Sequence, residues 1–214
     1  MRLIFLGPPA AGKGTQARRL AAECGLAHIS TGDILRAAAK IGTILGRKAQ
    51  RYMDRGALVP DDVMIGIIQE RLQRSDCARG FILDGFPRTV PQAEALSGLL
   101  ASLEKPIDWV INMEVPNEEV LNRMSGRLTC QNCGMMFNLI LNPPRVAGRC
   151  DCCGGPLVQR ADDGVETVHE RLAIYSQSTQ PLIKYYQDRG LLRTVDGTGS
   201  VDDIAKRIIE AIIS

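Results

Sequence analysis

The sequence predicts an α/β protein in which helices cover both faces of a parallel sheet. Short apolar runs of strand length alternate along the chain with segments in which apolar residues recur at helical spacing. This alternation is typical of parallel strands joined by helical crossovers. Hydrophobic residues make up 45% of the 214 residues, which is enough to fill the interior of such a fold. A glycine-rich turn after the first apolar run is the third indication.

The individual elements are predicted from apolar runs, helical spacing and capping residues. Short apolar runs that end in turn residues predict buried strands at 3–6, 28–29, 81–83, 107–113 and 191–195. Helical spacing and polar residues at the helix starts predict helices at 16–22, 34–39, 44–55, 61–72, 90–102, 117–126, 165–175 and 204–212.

Several helix boundaries and faces depend on single residues. Thr43 and Asn117 are predicted N-caps, and Gly56 is predicted to follow the end of a helix. Pro181 is expected to kink or restart the helix before the final strand. In the C-terminal helix one apolar stripe is predicted, consisting of Ile204, Ile208, Ile209 and Ile212.

A glycine-rich loop follows the first strand and opens the first helix. The sequence Gly7-Pro8-Pro9-Ala10-Ala11-Gly12-Lys13-Gly14-Thr15 has the Gly-x4-Gly-Lys spacing of a phosphate-binding loop. Unpaired N–H groups and the helix dipole attract anions there, and Pro8 and Pro9 supply no N–H. Lys13 adds a charge for the outer phosphates. An ordinary tight turn with a chance lysine is the alternative that this context disfavours.

Composition and charge restrict the class of protein. The net charge of +2 argues against binding of nucleic acid by bulk charge, and no apolar run approaches the ~20 residues of a membrane span. The apolar run at the N-terminus leads directly into the loop, so we expect no signal peptide and a cytoplasmic location. Cys24 and Cys77 have no partner in the sequence and are predicted to be small buried residues.

The other cysteines are clustered in a segment rich in glycine and proline, residues 126–163. Cys130-x2-Cys133 and Cys150-x2-Cys153 have the spacing of a tetrahedral zinc site with four thiolate ligands. Four protein ligands leave no open position, so the predicted metal is structural. Cys152 is either a free thiol or a substitute for Cys153, and the spacing favours Cys153.

A zinc ribbon that binds nucleic acid is the alternative interpretation of this segment. It contains the basic residues Arg145 and Arg149, but little aromatic surface besides Phe137. Because stacking platforms and a basic stripe are not evident, the sequence supports this alternative weakly.

Arginines near the ends of several segments suggest phosphoryl transfer. Each arginine alone is typical of a solvated surface, but together with Lys13 they could surround a polyphosphate. Arg123 and Arg127 are four residues apart and are expected on one face at a helix end. The others are Arg36, Arg88, Arg160 and Arg171.

The chemistry of the group that accepts the phosphoryl group can be predicted too. A phosphate monoester has a second pKa of about 6, so it is already a nucleophilic dianion at neutral pH and needs no general base. His28 and His169 are accordingly interpreted as structural or solvated. Asp84 follows a strand and could hold Mg²⁺ through water, or could simply cap a turn.

Several motifs together resemble adenylate kinases of the long bacterial type, which carry a zinc-bearing lid. Besides the loop, they are Ser30-Thr31-Gly32-Asp33, Leu83-Asp84-Gly85-Phe86-Pro87-Arg88-Thr89, Gln159-Arg160-Ala161-Asp162-Asp163 and Val195-Asp196-Gly197-Thr198. The resemblance covers essentially the whole chain. It implies a five-stranded parallel sheet and a reversible, magnesium-dependent conversion of ATP and AMP to two ADP by a monomer. A kinase for another nucleoside monophosphate is the nearest alternative.

The resemblance also implies domains and site residues. It implies a core at 1–29, 60–125 and 164–214, an AMP-binding segment at 30–59 and a lid at 126–163. The matching catalytic residues are Lys13, Asp84, Arg88, Arg123, Arg160 and Arg171. Those that match ATP-binding positions are Ala10, Ala11, Gly12, Lys13, Gly14, Thr15, Arg123, Arg127, Met136, Phe137 and Gly199. Those that match AMP-binding positions are Thr31, Arg36, Ala57, Leu58, Val59, Gly85, Phe86, Pro87, Arg88, Gln92, Arg160 and Arg171.

One position of the loop departs from the family pattern. Ala10 stands where many adenylate kinases have glycine. A side chain in the left-handed region incurs roughly 1 kcal/mol, so we expect Ala10 at negative φ.

Overall fold

A computed structural model describes residues 1–213. Ser214, the last residue of the predicted core, lies outside the described residues. The strands are β1 (Arg2–Leu6), β2 (Ala27–Ser30), β3 (Phe81–Asp84), β4 (Trp109–Glu114), β5 (Arg127–Cys130), β6 (Met136–Asn138), β7 (Leu157–Val158) and β8 (Leu192–Asp196). The helices are α1 (Lys13–Cys24), α2 (Thr31–Ile41), α3 (Ile44–Met53), α4 (Asp61–Leu72), α5 (Val90–Ser102), α6 (Asn117–Ser125), α7 (Val165–Ile174), α8 (Pro181–Gln187) and α9 (Val201–Ile213).

Five parallel strands form the central sheet in the order β2-β3-β1-β4-β8. The first crossover carries the chain from β1 past β3 to β2, and a later one carries it from β3 across to β4 on the other side of β1. The switch in direction therefore lies at β1. In open parallel sheets ligands bind at the carboxyl ends of the strands beside such a point. The phosphate loop lies at this position.

Helices cover both faces of the sheet, as predicted. Side chains of β1 alternate between two apolar cores because successive residues of a strand point to opposite faces. Ile4 and Leu6 belong to the core that contains α4, α5 and α8. Leu3 and Phe5 belong to the core under α1 and α9. The two cores bury β1 on both sides after Arg2, which explains the uninterrupted apolar run at 3–6.

A smaller antiparallel sheet lies outside the central one, within residues 127–158. Its order is β6-β5-β7. Its small core is built on the buried residues Cys130, Phe137 and Cys150. Such a module has too little apolar interior to be stable alone and needs another constraint.

Most predicted elements are confirmed, and several details are corrected. Thr43 caps α3 by accepting a hydrogen bond from Gly46 N at 2.9 Å, and a new helix begins at Pro181 after a wider π-helical turn. Asn117 is the first residue of α6 rather than its cap. Ile209 belongs to the predicted apolar stripe of α9 but is 41% exposed. The face of α9 that the rest of the protein covers is narrower than the stripe of apolar residues.

Two further expectations fail for reasons of local geometry. Arg127 does not share a helix face with Arg123, because α6 ends at Ser125 and Arg127 begins β5. Cys24 is exposed because it is the last residue of α1 and lies before the Gly25 cap, whereas Cys77 is buried as predicted. Within residues 1–213, no helix combines the length and the apolar character needed to cross a bilayer.

Ala10 adopts φ 56°, so the expectation of negative φ is wrong. Ala11 N donates to Pro8 O at 3.2 Å, which closes a four-residue turn with Pro9 and Ala10 at its centre. Proline favours the second position of such turns, and one common type then requires positive φ at the third. The turn therefore imposes the left-handed conformation on Ala10.

Substitution of Ala10 by glycine tests this strain. Glycine relieves roughly 1 kcal/mol of steric strain at positive φ and forfeits part of it through greater entropy of the unfolded chain. We expect Ala10→Gly to leave the free energy of unfolding unchanged or to raise it by up to ~1 kcal/mol. The matched control is Ala37→Gly at an exposed position inside α2, which should lower it by about 1 kcal/mol. The free energy of unfolding is measured by denaturant titration. An equal decrease in the two variants would contradict strain at Ala10.

Candidate functional site

The phosphate loop wraps around the ammonium group of Lys13. The Lys13 Nζ atom donates to Gly7 O at 2.7 Å and to Pro8 O at 2.6 Å. Gly7 has φ 139°, and a Cβ atom there would lie 2.5 Å from Met113 O, so only glycine lets the loop start this close to β4. Burial lowers the pKa of Lys13 to about 7. The negative charge of Asp84 raises this pKa, and the positive charges of nearby arginines lower it further.

The small sheet packs directly on the loop. A Cβ atom at Gly14 would lie 2.6 Å from Met136 Cε and 3.1 Å from Asp84 Oδ2. This crowding explains why glycine occupies the position that serine or threonine takes in many phosphate loops. The loop is thus covered by β6 on one side and bounded by the end of β3 on the other.

The arginines singled out in the sequence come together around this loop. They come from six different helices, strands or loops, and all line one cleft with a volume of about 240 Å³ together with Lys13: Arg36, Arg88, Arg123, Arg127, Arg160 and Arg171. Burial lowers the pKa of Arg88, Arg160 and Arg171, and neighbouring arginines add to that effect. A buried group of like charges of this kind is suited to bind a polyanion.

Aspartates that lie within the sequence motifs, but were not assigned to the site from the sequence, pair with several of these arginines. The fully buried carboxylate of Asp163 bonds Arg127, and Asp162 Oδ2 accepts from Arg171 at 3.0 Å. On α2, Asp33 Oδ1 accepts from Arg36 Nη2 at 2.6 Å. The sequence did indicate such pairing, because Asp162 and Asp163 closely follow Arg160.

Asp84 ends β3 with its carboxylate beside the loop. Burial raises the pKa of Asp84, but His28 and Lys13 outweigh that effect and hold the pKa below its ordinary value. The Asp84 Oδ2 atom lies 3.6 Å from the buried Nε2 atom of His28. His28 is thus a neighbour of the site carboxylate, which the sequence interpretation did not foresee.

A loop after β8 forms another wall of the same cleft and includes Gly199. Arg123 connects this loop to the phosphate loop, because it donates to Gly197 O at 2.9 Å and to Ala11 O at 3.3 Å. Arg207 of α9 holds the loop from outside by donating to Asp196 O at 2.9 Å and to Thr198 O at 2.6 Å. Sequence reasoning missed Arg207, since a basic residue on a surface helix carries no signal of its own.

The predicted ATP-binding positions line the large cleft together. They are Ala10, Ala11, Gly12, Lys13, Gly14, Thr15, Arg123, Arg127, Met136, Phe137 and Gly199. A smaller cleft adjoins it under α2 and contains most of the predicted AMP-binding positions: Thr31, Arg36, Ala57, Leu58, Val59, Gly85, Arg88, Gln92 and Arg171. Pro87 and Arg160 line the large cleft instead. Phe86 lines neither cleft, because its side chain is buried in the core beneath them.

The four predicted metal ligands form one cluster. The Sγ atoms of Cys130, Cys133, Cys150 and Cys153 all lie within 4.8 Å of one another, and two of the pairs are 3.5 and 3.6 Å apart. Four sulfurs at 2.3 Å from a tetrahedral Zn²⁺ would be about 3.8 Å apart, so the cluster fits such an ion. Cys152 is exposed and lies outside the cluster, so the geometry favours Cys153 as the fourth ligand, as the spacing does.

Comparison with known proteins agrees with these features. The family model described as adenylate kinase matches residues 5–191. A curated adenylate kinase from Archaeoglobus fulgidus is 57% identical over 100% of this chain and 98% of its own length. One from Thermodesulfovibrio yellowstonii is 53% identical over 97% of both chains, and one from Methanosarcina acetivorans is 56% identical over 94% of both. The chain belongs to the adenylate kinase family, phosphotransferases that convert ATP and AMP to ADP.

Proposed function

We propose that the large cleft binds ATP and the small cleft binds AMP, and that the γ-phosphoryl group passes between them. The observation that carries this assignment is that Arg36, Arg88 and Arg171 line both clefts. A phosphoryl group in transfer between two nucleotides needs positive charge at the point where the nucleotides meet. The arginines shared by the two clefts supply it.

The proposed roles of the residues follow from their places in the clefts. Lys13 and the loop N–H groups bind the outer phosphates of ATP, and Phe137 covers its base. Arg123 and Arg127 hold its phosphates from the side of the small sheet. Arg88, Arg160 and Arg171 neutralise charge that spreads over the transferred group. Because the phosphate of AMP is a dianion at neutral pH, the site needs no general base.

Asp84 is the proposed anchor for the magnesium ion that accompanies ATP. Its carboxylate is ionised and lies beside Gly14 at the start of α1, where the outer phosphates would be held. A bound Mg²⁺ neutralises phosphate charge and usually keeps several waters, so an indirect contact through water suits this site.

The proposed domains place a lid and an acceptor segment around a core. The core consists of 1–29, 60–125 and 164–214, the AMP-binding segment of 30–59, and the lid of 126–163. Lid residues already contact the other parts: Met136 lies over Gly14, and Lys40 Nζ of α2 is 3.5 Å from Gln131 O. Such a lid excludes water, which would otherwise accept the phosphoryl group.

We further propose that the cysteine cluster holds a structural Zn²⁺ and that the protein acts as a cytoplasmic monomer. Four thiolates complete a tetrahedral shell, so the ion would stabilise the lid without touching substrate. The small core around Cys130, Phe137 and Cys150 supports this role, because it is too small to fix the module unaided.

An acceptor assay tests the proposed function. ADP formation from ATP and Mg²⁺ is measured with AMP, UMP, CMP and GMP offered separately. We expect AMP to be the strongly preferred acceptor, since Gln92 places an amide in the small cleft that can bond an adenine edge. Preference for another monophosphate would reassign the acceptor, and no turnover with any of them would refute the kinase assignment.

Substitution of Arg123 by lysine tests the phosphate-binding wall. Arg123 donates to Gly197 O, Ala11 O and Glu119 Oε1 and keeps two N–H groups for phosphate, whereas the lysine ammonium has three N–H groups in all and no planar fork, so it cannot make both sets of bonds. We expect turnover to fall by roughly 10²-fold or more, the scale of one lost transition-state donor. Arg74→Lys, at an exposed position after α4, serves as the control and should keep normal turnover. Normal turnover of Arg123→Lys would exclude this residue from the site.

Two neighbouring cysteines provide a matched test of the metal site. Cys153→Ser removes a ligand of the cluster and should lower both the zinc content and the melting temperature, whereas Cys152→Ser should change neither. The measurements are atomic absorption and thermal unfolding, with ADP formation at low temperature as a check that the chemistry persists. An unchanged melting temperature in Cys153→Ser would argue against a structural metal.

A further inference from the structure

A carboxylate outside both clefts fixes the amide of Gln92. Asp61 is the first residue of α4, and its Oδ1 atom accepts a hydrogen bond from Gln92 Nε2 at 2.7 Å. Its Oδ2 atom accepts one from Thr89 Oγ1 at 2.9 Å. On the other side of the amide, Gln92 Oε1 accepts from Arg88 N at 2.7 Å. All of these groups lie at the start of α5 and α4.

This network allows only one orientation of the amide. A reversed Gln92 side chain would place Oε1 against the acceptor oxygens of Asp61 and Nε2 against the N–H of Arg88. Gln92 is 2% exposed, so water cannot compensate for such a mismatch. Each end of the amide has one further hydrogen-bonding position, and Gln92 lines the small cleft. Asp61 lines neither cleft.

We propose that Asp61 is a positioning residue that makes the acceptor site select a 6-aminopurine over a 6-oxopurine. This inference rests on the proposed binding of AMP in the small cleft. Asp61 acts through Gln92 and touches no substrate. It keeps the carbonyl oxygen and the amide nitrogen of Gln92 in fixed places, so that the site accepts one pattern of donors and acceptors.

The two purine classes differ in the pattern that this amide meets. Adenine presents an amino donor beside a ring-nitrogen acceptor, and a glutamine amide with a fixed orientation can bond both. A 6-oxopurine presents an oxygen in place of the amino group, so its lone pairs would face Oε1 of Gln92. A binding site with fixed polar groups discriminates strongly, because a mismatched base leaves them unpaired.

Replacement of Asp61 by asparagine tests the inference with AMP and inosine monophosphate as acceptors. Asparagine keeps the shape of aspartate but can also donate, so it removes the mismatch that a reversed Gln92 amide meets at position 61 and leaves only the mismatch at Arg88 N. We expect the AMP-to-IMP ratio of kcat/KM to fall roughly tenfold or more. The control is Asp62→Asn, which removes an exposed acidic residue from the same first turn of α4 and should leave the ratio unchanged. Both kcat/KM values are measured on the same preparation of each variant. The fraction of folded enzyme therefore cancels in the ratio.

A second background separates positioning from a general structural role. In a Gln92→Ala protein, Asp61→Asn should produce no further fall in the ratio, because Asp61 acts through the amide. A ratio within twofold of the parent in Asp61→Asn would overturn the inference, as would an equal fall in Asp62→Asn or in the Gln92→Ala background. If the unaltered protein phosphorylates AMP, such a result refutes the role of Asp61 alone. If it does not phosphorylate AMP, the proposed function itself fails.

Discussion

The concentration of buried positive charge around the phosphate loop is the constraint on which the rest of the structure depends. Burial of arginines and Lys13 in one cleft is unfavourable, as their lowered pKa values indicate. The aspartates Asp33, Asp162 and Asp163 offset part of this repulsion. Phosphates of two nucleotides would offset more, so the cleft is suited to bind polyanions with charge already in place and little reorganisation.

The fold makes this concentration possible by bringing distant segments to one edge of the sheet. The phosphate loop and the loop containing Gly197 follow parallel strands and Asp84 ends one, so they meet at the carboxyl edge. Close approach then depends on residues without side chains: Gly7 lets the loop contact β4, and Gly14 admits Met136. Arg123 joins two of these loops through their carbonyl groups, so one side chain both shapes the cleft and supplies its charge.

Local patterns predicted the fold, the phosphate loop and the cysteine cluster, and the family resemblance supplied most other cleft residues, while contacts between segments escaped both. The limits of α5 and the cap at Thr43 depend on neighbouring residues and were read correctly. Arg127 was misplaced because a four-residue spacing does not reveal where a helix ends, and Ala10 was misjudged because the proline turn before it was not recognised. Asp61 is 31 residues from Gln92, so no local pattern could connect them.

The same physical device recurs in the two clefts. In the large cleft the guanidinium of Arg123 is held by carbonyl groups of two loops, and in the small cleft the amide of Gln92 is held between Asp61 and Arg88 N. In each case protein groups hold the side chain before any substrate arrives: carbonyl oxygens accept from Arg123, while Asp61 accepts from the Gln92 amide and Arg88 N donates to it. Fixed donors lose little entropy on binding and mismatch strongly with a wrong ligand. The proposed recognition of phosphate and of base therefore depends on the protein groups that hold Arg123 and Gln92 in place.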